Sequence, residues 1–339
     1  MNRFEWSNAA SPTEAAASAT TTVADAMLAA PGQGVVLKAG GIDLLDLMKE
    51  GLLAPRRLVN LRTVPGLDAI AGEPDGTLRV GALVSLEQVA ANPLIQSRAT
   101  ALAEAAGGSA SPQIRHVATL GGNLLQRPRC WYFRSAAHRC LRKGGGRCFA
   151  VHGENQYHAI FSNEVCAVVH PSTPATALVA LGARVELVNP QGEARRPLLD
   201  EFLVAPETDV QRENDLRPGE VLSAVLLPPL AERTRSVHLR DSEKQSFDWP
   251  IADVAVVLEC DATRRCRSAS VVLGAAAPVP RRARATEEML AGEIIDEALA
   301  RQAGQAALEA STPLSRNHHK QPIFAALVRR AVLRAAELG

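Results

Sequence analysis

Apolar residues recur along the chain in short blocks whose spacing switches between a period of two and a period near 3.6, and the switches predict alternating strands and helices. Residues 35–37 read as a short buried strand, which Lys38-Ala39-Gly40-Gly41 ends before a helical run over 43–49 with Leu44, Leu45, Leu47 and Met48 as its apolar positions. Strands are expected at 57–61 and 78–82, and Ser85 followed by Gln88 predicts a capping box opening a helix over 86–91. A helix over 173–181 and strands over 184–188 and 221–227 come next, closed by Pro228-Pro229. A second unit then opens with strands near 236–240, 252–259 and 269–274 and turns helical over 283–290, 294–309 and 322–338. No internal repeat is visible, and the single low-complexity segment is the Ala/Ser/Thr-rich N-terminal run, expected to be mobile.

Composition narrows the function classes. With 47% hydrophobic residues, 22% charged residues and a net charge of +1, the 339-residue chain implies no nucleic-acid or membrane surface, and its length allows two or three domains. The first residues lack an apolar h-region and no apolar run reaches spanning length, so no export signal of the chain's own is expected. That predicts a cytoplasmic protein, or a periplasmic one if a partner carries it out.

Four of the six cysteines, Cys130, Cys140, Cys148 and Cys166, follow closely on a TLGGN turn at 119–123. A disulfide scaffold would be shorter and denser in cysteine. Structural zinc usually takes tight C-x2-C pairs, which are missing, whereas gaps of nine, seven and seventeen residues describe a loop around a larger object. Iron-sulfur ligation is therefore favoured, with zinc and inert buried thiols left open and His158 as a substitute ligand for Cys166. Cys260 and Cys266 fall in an expected strand pair and turn, and read as structural. The cations Arg142, Lys143 and Arg147 around Gly144 to Gly146 make either a flexible basic loop or a shell that stabilises thiolates.

Between a strand and a helix N-terminus, Gly40-Gly41 can present successive N–H groups to a pyrophosphate, although a Gly-Gly pair alone is more often a tight turn. Neither G-x-G-x-x-G nor G-x-x-x-x-G-K-[ST] occurs, so neither a Rossmann dinucleotide site nor a P-loop is supported.

Taken together, Lys38-Ala39-Gly40-Gly41, SPQIRHVATLGGNLLQ (111–126), RPGEVLSAVLLP (217–228), SFDWPIADVAV (246–256) and NHHKQPIFAALVRR (317–330) resemble the FAD-binding medium subunits of the molybdenum hydroxylases, the xanthine dehydrogenase and carbon monoxide dehydrogenase family. The run NLLQRPRCWYFRS with its four cysteines is similar, more narrowly, to the [4Fe-4S]-bearing medium subunit of bacterial periplasmic aldehyde oxidoreductase; most of the family lacks that insertion.

The resemblance implies an α+β protein. A two-subdomain FAD-binding domain of the vanillyl-alcohol-oxidase (PCMH) type would span 1–230, with the cysteine loop inserted at about 127–168, and a C-terminal domain of a three-stranded sheet with helices would span 235–339. It further implies that Leu37, Lys38, Ala39, Gly40, Gly41, Ile42, Asp43, Leu44 and Leu45 hold the pyrophosphate and that Thr119, Gly122 and Asn123 contact the flavin. Ser172 and Thr173 would form a second phosphate or ribose turn, where Thr173 replaces a frequent Asp yet still offers a hydroxyl. Val221 and Leu222 would flank the ring or adenine, and Arg240 stands where relatives usually carry Lys. Cys130, Cys140, Cys148 and Cys166 would ligate the [4Fe-4S] cluster.

No acid/base pair or nucleophile triad is visible, which suits a subunit that moves electrons for a partner. The implied partners are a large molybdenum-pterin subunit that oxidises an aldehyde or xanthine-type substrate, a small subunit with two [2Fe-2S] clusters, and an external electron acceptor. Two other readings are a flavin-free scaffold with a structural metal cluster and a self-sufficient flavin oxidoreductase.

Overall fold

The computed structural model describes residues 1–244 and 247–337. Ser246, where the SFDWPIADVAV motif begins, and Leu338, the expected end of the last helix, lie outside the described residues. The chain divides into two units, one of Met1–Leu86, His116–Phe149 and Ala183–Leu227, the other of Glu87–Arg115, Ala150–Gly182 and Pro228–Gly339.

The first unit holds two sheets. Strands β1 (Glu5–Asn8), β2 (Val35–Lys38) and β3 (Arg57–Asn60) form a parallel sheet in the order β1-β3-β2. Successive residues of a strand point to opposite faces, and both faces of this sheet are covered, as parallel sheets require. Val35 and Val59 join Ala15, Ala16, Leu67 and Val221 on one side. Val36 and Leu58 meet Leu44, Leu47 and Met48 of the helix Ile42–Lys49 on the other, together with Phe133 and Cys140 from the cysteine loop. The second sheet is antiparallel, from β4 (Ile70–Gly72), β5 (Leu78–Gly81), β6 (Arg184–Val188), β7 (Ala194–Arg195) and β8 (Val221–Leu227), in the order β4-β5-β8-β6-β7. Glu186 sits buried in it. Burial alone would raise its carboxyl, but hydrogen bonds from Arg79, Ser223 and Arg196 pull it down to about 2.

The N-terminal run is ordered, contrary to the mobility expected of it. Phe4 packs in the core and β1 pairs in parallel with β3. Ser11 then caps the helix Pro12–Ser18 by accepting from the Glu14 N–H at 3.1 Å, with Pro12 in the first turn. Alanine-rich composition hid a helix that burial of Ala15 and Ala16 holds in place.

The second unit is built on β9 (Thr234–Asp241), β10 (Ala252–Cys260), β11 (Cys266–Gly274) and β12 (Arg281–Arg282), in the order β12-β11-β10-β9. The C-terminal sheet thus has four strands and not three. The added strand is two residues long, pairing Arg281 with Leu273 and Arg282 with Val272, too short to carry an alternating pattern. The helix Lys320–Glu337 buries Phe324, Leu327, Val328 and Ala331 with Val254, Val256 and Leu258, while the helix Thr173–Ala180 packs on β10 and β11. Among the described residues no helix is long and apolar enough to cross a membrane.

Candidate functional site

The C-terminal ends of the three parallel strands fall in one row, Asn8, Asn60 and Lys38. Ligands of α/β sheets gather at such ends. Directly beyond, Gly41 takes φ +87°, a left-handed conformation that glycine adopts without penalty, and opens the helix Ile42–Lys49. No side chain caps this helix start, so its first N–H groups and the positive end of its dipole remain available to an anion. Asp43 does not compete for them. Its carboxylate accepts from the Arg127 N–H at 2.9 Å and pairs with Arg129 at 2.9 Å and Arg134 at 2.5 Å. Lys38 is held below its ordinary pKa first by burial and then by the charge of Arg62, a like-charge pressure that a bound anion would relieve. The Lys38 ammonium stands 5.6 Å over the Trp6 ring.

TLGGN is not a plain turn. It forms a short helix, Leu120–Leu124, whose N-cap Thr119 accepts from the Gly122 N–H at 3.2 Å. The two glycine segments lie side by side. A Cβ on Gly40 would stand 2.2 Å from the Val117 carbonyl oxygen, and one on Gly122 would stand 2.9 Å from Thr119 Oγ1 and 4.0 Å from the Ala39 methyl. Gly121 is fixed in turn by Ala82, whose Cβ a new methyl would meet at 2.8 Å. Backbone packing therefore accounts for Gly40 and Gly121, whereas Gly41 and the exposed Gly122 face the space a ligand would use. Exposed Ile42 and Val117 supply apolar surface next to them.

Other residues assigned to the cofactor lie in different settings. Val221 and Leu222 are buried, and the Val221 side chain belongs to the core around Val35 and Val59, so contact from this position would come from backbone. In the second unit Ser172 caps the helix Thr173–Ala180, accepting from the Ala175 N–H at 3.0 Å, and Thr173 is buried. Arg240 lies on β9 and donates to the Asp248 carbonyl at 2.9 Å.

The cysteine loop is welded to the glycine-turn helix. Phe133 is inserted beside Leu44 and Met48, and buried Glu213 pairs with Arg127 at 3.1 Å and Arg142 at 2.7 Å. Cys130 begins the short helix Trp131–Arg134, Cys140 precedes a 3-10 turn over Leu141–Lys143, and Cys148 completes the set in this unit. The three thiols are near enough to feel one another: burial first, then the Cys148 and Cys140 charges, push Cys130 up to about 11. Cys166 is buried in the second unit. Among the described residues no three His, Cys, Asp or Glu side chains stand as one bound metal ion would need. Cys140 is buried, Cys130 and Cys148 are half-buried, and a four-iron cube would spread such thiolates over separate corners. His158, the substitute ligand, lies in the second unit with its carbonyl bonded to Lys320 and Asn317.

Residues 2–230 match the family described as the FAD binding domain in molybdopterin dehydrogenase, and 238–335 match the CO dehydrogenase flavoprotein C-terminal domain. The chain belongs to the FAD-binding subunits of the molybdenum hydroxylases. It is 34% identical over 292 residues to the aldehyde oxidoreductase FAD-binding subunit PaoB of Escherichia coli, covering 86% of each chain. It is also 25% identical to the carbon monoxide dehydrogenase medium chain of Afipia carboxidovorans, over 93% of this chain and 94% of that one. The carbon monoxide dehydrogenase structure from Hydrogenophaga pseudoflava superposes with a TM-score of 0.73 at 25% identity, over 99% of this chain and 98% of that one.

Membership in this family makes FAD the ligand to place, and the uncapped helix start at Gly41 with the neighbouring Thr119–Gly122 segment is the candidate cradle. Asn8, Asn60, Trp6 and Arg62 border that cradle and were missed by sequence reasoning. The Ser-Pro-Thr-Glu run at 11–14, which predicts a helix start, was the available sign that the N-terminal segment is ordered.

Proposed function

We propose that this chain is the electron-transfer subunit of an aldehyde-oxidising molybdenum hydroxylase, holding FAD at its two glycine segments and a [4Fe-4S] cluster on Cys130, Cys140, Cys148 and Cys166. The observation that carries the reading is the shared foundation of the two sites: the helix whose uncapped start suits a pyrophosphate is the helix on which the cysteine loop is anchored. Likeness to an aldehyde oxidoreductase subunit supports aldehydes as the substrate class of the complex.

In this reading Gly41, Ile42 and the first turn of the helix bind the pyrophosphate through N–H groups, aided by Lys38. Thr119, Gly122 and Asn123 form the wall beside the ring, and Ser172, Thr173 and Arg240 keep the roles that the family resemblance gives them. Residues 1–230 form the FAD-binding domain and 235–339 the C-terminal domain. Bound there, FAD would supply the chemistry that takes electrons singly from a [2Fe-2S] subunit and gives them in pairs to an external acceptor, while substrate oxidation would belong to a large molybdenum-pterin subunit.

Purification of the native complex with analysis of acid-released flavin, iron, sulfide and molybdenum tests the proposal. One FAD and four irons beyond those of the [2Fe-2S] subunit are expected per copy of this chain. The isolated chain should leave aldehydes untouched while its flavin is still reduced by dithionite. Aldehyde-dependent bleaching of the pure chain would point to a self-sufficient oxidoreductase, and an absence of flavin bands to a scaffold.

A further inference from the structure

The cations of the cysteine loop are not equivalent. Arg127 and Arg142 share Glu213, and Arg129 and Arg134 share Asp43. Lys143 differs from these four: like Arg139 and Arg147, it has no carboxylate within ion-pair distance among the described residues. Its ammonium instead donates to the Tyr132 carbonyl at 3.2 Å and the Ser135 carbonyl at 2.5 Å, at the end of the helix that Cys130 begins. Its own N–H donates to the Cys140 carbonyl at 2.9 Å, and Gly145 N–H reaches the same oxygen at 2.9 Å. One residue thus ties the Cys140 turn to the Cys130 helix, with the Phe133 ring 6.0 Å below its charge.

We propose that Lys143 is a positioning residue for the iron-sulfur cluster, stapling two ligand-bearing segments together and placing the unit charge that makes the cluster easier to reduce. The inference rests on the cluster reading above. Reduction adds one electron, so a fixed positive charge beside the ligands stabilises the reduced form over the oxidised one. The four arginines face four carboxylates, Asp43, Asp46, Glu50 and Glu213, while Arg147 stands over the Phe149 ring and lacks the two carbonyl bonds that fix Lys143 between the ligand segments.

Anaerobically purified complexes carrying wild-type chain, Lys143→Met or Lys143→Arg would be compared by iron and sulfide content and by dithionite titration of the cluster's EPR signal. Lys143→Met should keep its iron and become about tenfold harder to reduce, a fall of about 59 mV for one electron, while Lys143→Arg should titrate with wild type. Loss of iron from the Met variant with iron and potential retained in the Arg variant would equally support the staple. An unshifted potential in iron-replete Lys143→Met overturns the inference. So does a Lys143→Arg variant that falls as far as the Met variant, or loss of iron from both. Iron-free wild-type complex overturns the cluster reading itself, a result distinct from any of these.

Discussion

Asp43 and Arg134 meet in a 2.5 Å ion pair across 91 positions of sequence, one residue in the first turn of the glycine-turn helix and the other closing the short helix that Cys130 begins. The same carboxylate accepts from the Arg127 N–H and pairs with Arg129. A negative side chain in a first helical turn is favoured by the dipole, and here that residue is spent on the loop, leaving the N–H groups clear. The candidate cofactor cradle and the cysteine loop therefore share Asp43 as an anchor.

Asp43→Asn should loosen both sites together. Three charge-assisted hydrogen bonds weaken at once, and Arg129 and Arg134 keep only their longer contacts to Asp46 and, for Arg134, Glu50, a loss of roughly 1–3 kcal/mol. Thermal unfolding of the complex should start several degrees lower, with flavin and iron released in parallel. A variant that drops its iron while flavin stays at full occupancy would show that the two sites are not coupled through this residue.

The glycines should separate by position. In Gly40→Ala the new methyl meets the Val117 carbonyl, a backbone atom that cannot yield, so folding of the first unit should suffer. Gly41→Ala must hold φ +87° at about 1–2 kcal/mol and should bind flavin weakly with the fold intact. Gly122→Val, at an exposed position beside Ala39, should remove flavin without unfolding. Circular dichroism and acid-released flavin per chain distinguish these outcomes; full flavin in the Gly122 variant would relocate the ring.

Much of this was legible in the sequence because the elements concerned advertise themselves locally. The strand 35–37, the Gly40-Gly41 break and the helix after it were all expected and are present with shifts of one residue, since alternation, a glycine break and a 3.6 period occur there in immediate succession. The strand pair carrying Cys260 and Cys266 was expected too, though β11 begins three residues earlier, at Cys266 itself. What escaped depended on distant partners. β1 is a strand because β3 lies beside it, and β12 because β11 does. TLGGN becomes helical because Thr119 caps it and Leu120 N–H bonds back to the Val84 carbonyl at 2.8 Å. The Asp43 and Glu213 ion pairs join positions far apart in the chain, and no local pattern announces them.

Cysteine substitutions should fall into two sets. Serine at Cys130, Cys140, Cys148 or Cys166 should lower iron and sulfide towards zero or leave a damaged cluster. Cys260→Ser and Cys266→Ser should leave iron unchanged, because these two face each other across β10 and β11 and hydrogen-bond together, with burial and then the neighbouring Cys260 pushing Cys266 up to about 12. Anaerobic iron analysis with EPR reads both sets, and zinc in place of iron, or a full cluster in Cys166→Ser, would redraw the ligands.

The second unit should lose stability in acid through a buried pair of bases. Burial presses His158 down to about 4, with the Lys320 charge adding to it, and presses Lys320 down to about 7 against the opposing pull of Asp253. The Lys320 ammonium donates to the His158 carbonyl at 3.0 Å and the Ala275 carbonyl at 2.5 Å, joining the 158 segment to the sheet. Both shifts are depressions of a base, so the unfolded chain binds more protons than the folded one between about 4 and 6.5 for His158 and between about 7 and 10.5 for Lys320. Stability therefore rises with pH across each window and falls as pH drops through it. For His158 the full span is on the order of 3 kcal/mol. The upper part of its window, from pH 6.5 down to about 5, lies above the ordinary carboxylate range and isolates the histidine. Hydrogen exchange of the β9 to β11 amides, read from pH 5 to 8, should show protection climbing with pH once the intrinsic exchange rate is removed, and His158→Gln should flatten the lower part of that climb. Protection that increases on acidification in wild type, or an unchanged slope in His158→Gln, would show that the histidine is not held neutral in the folded unit.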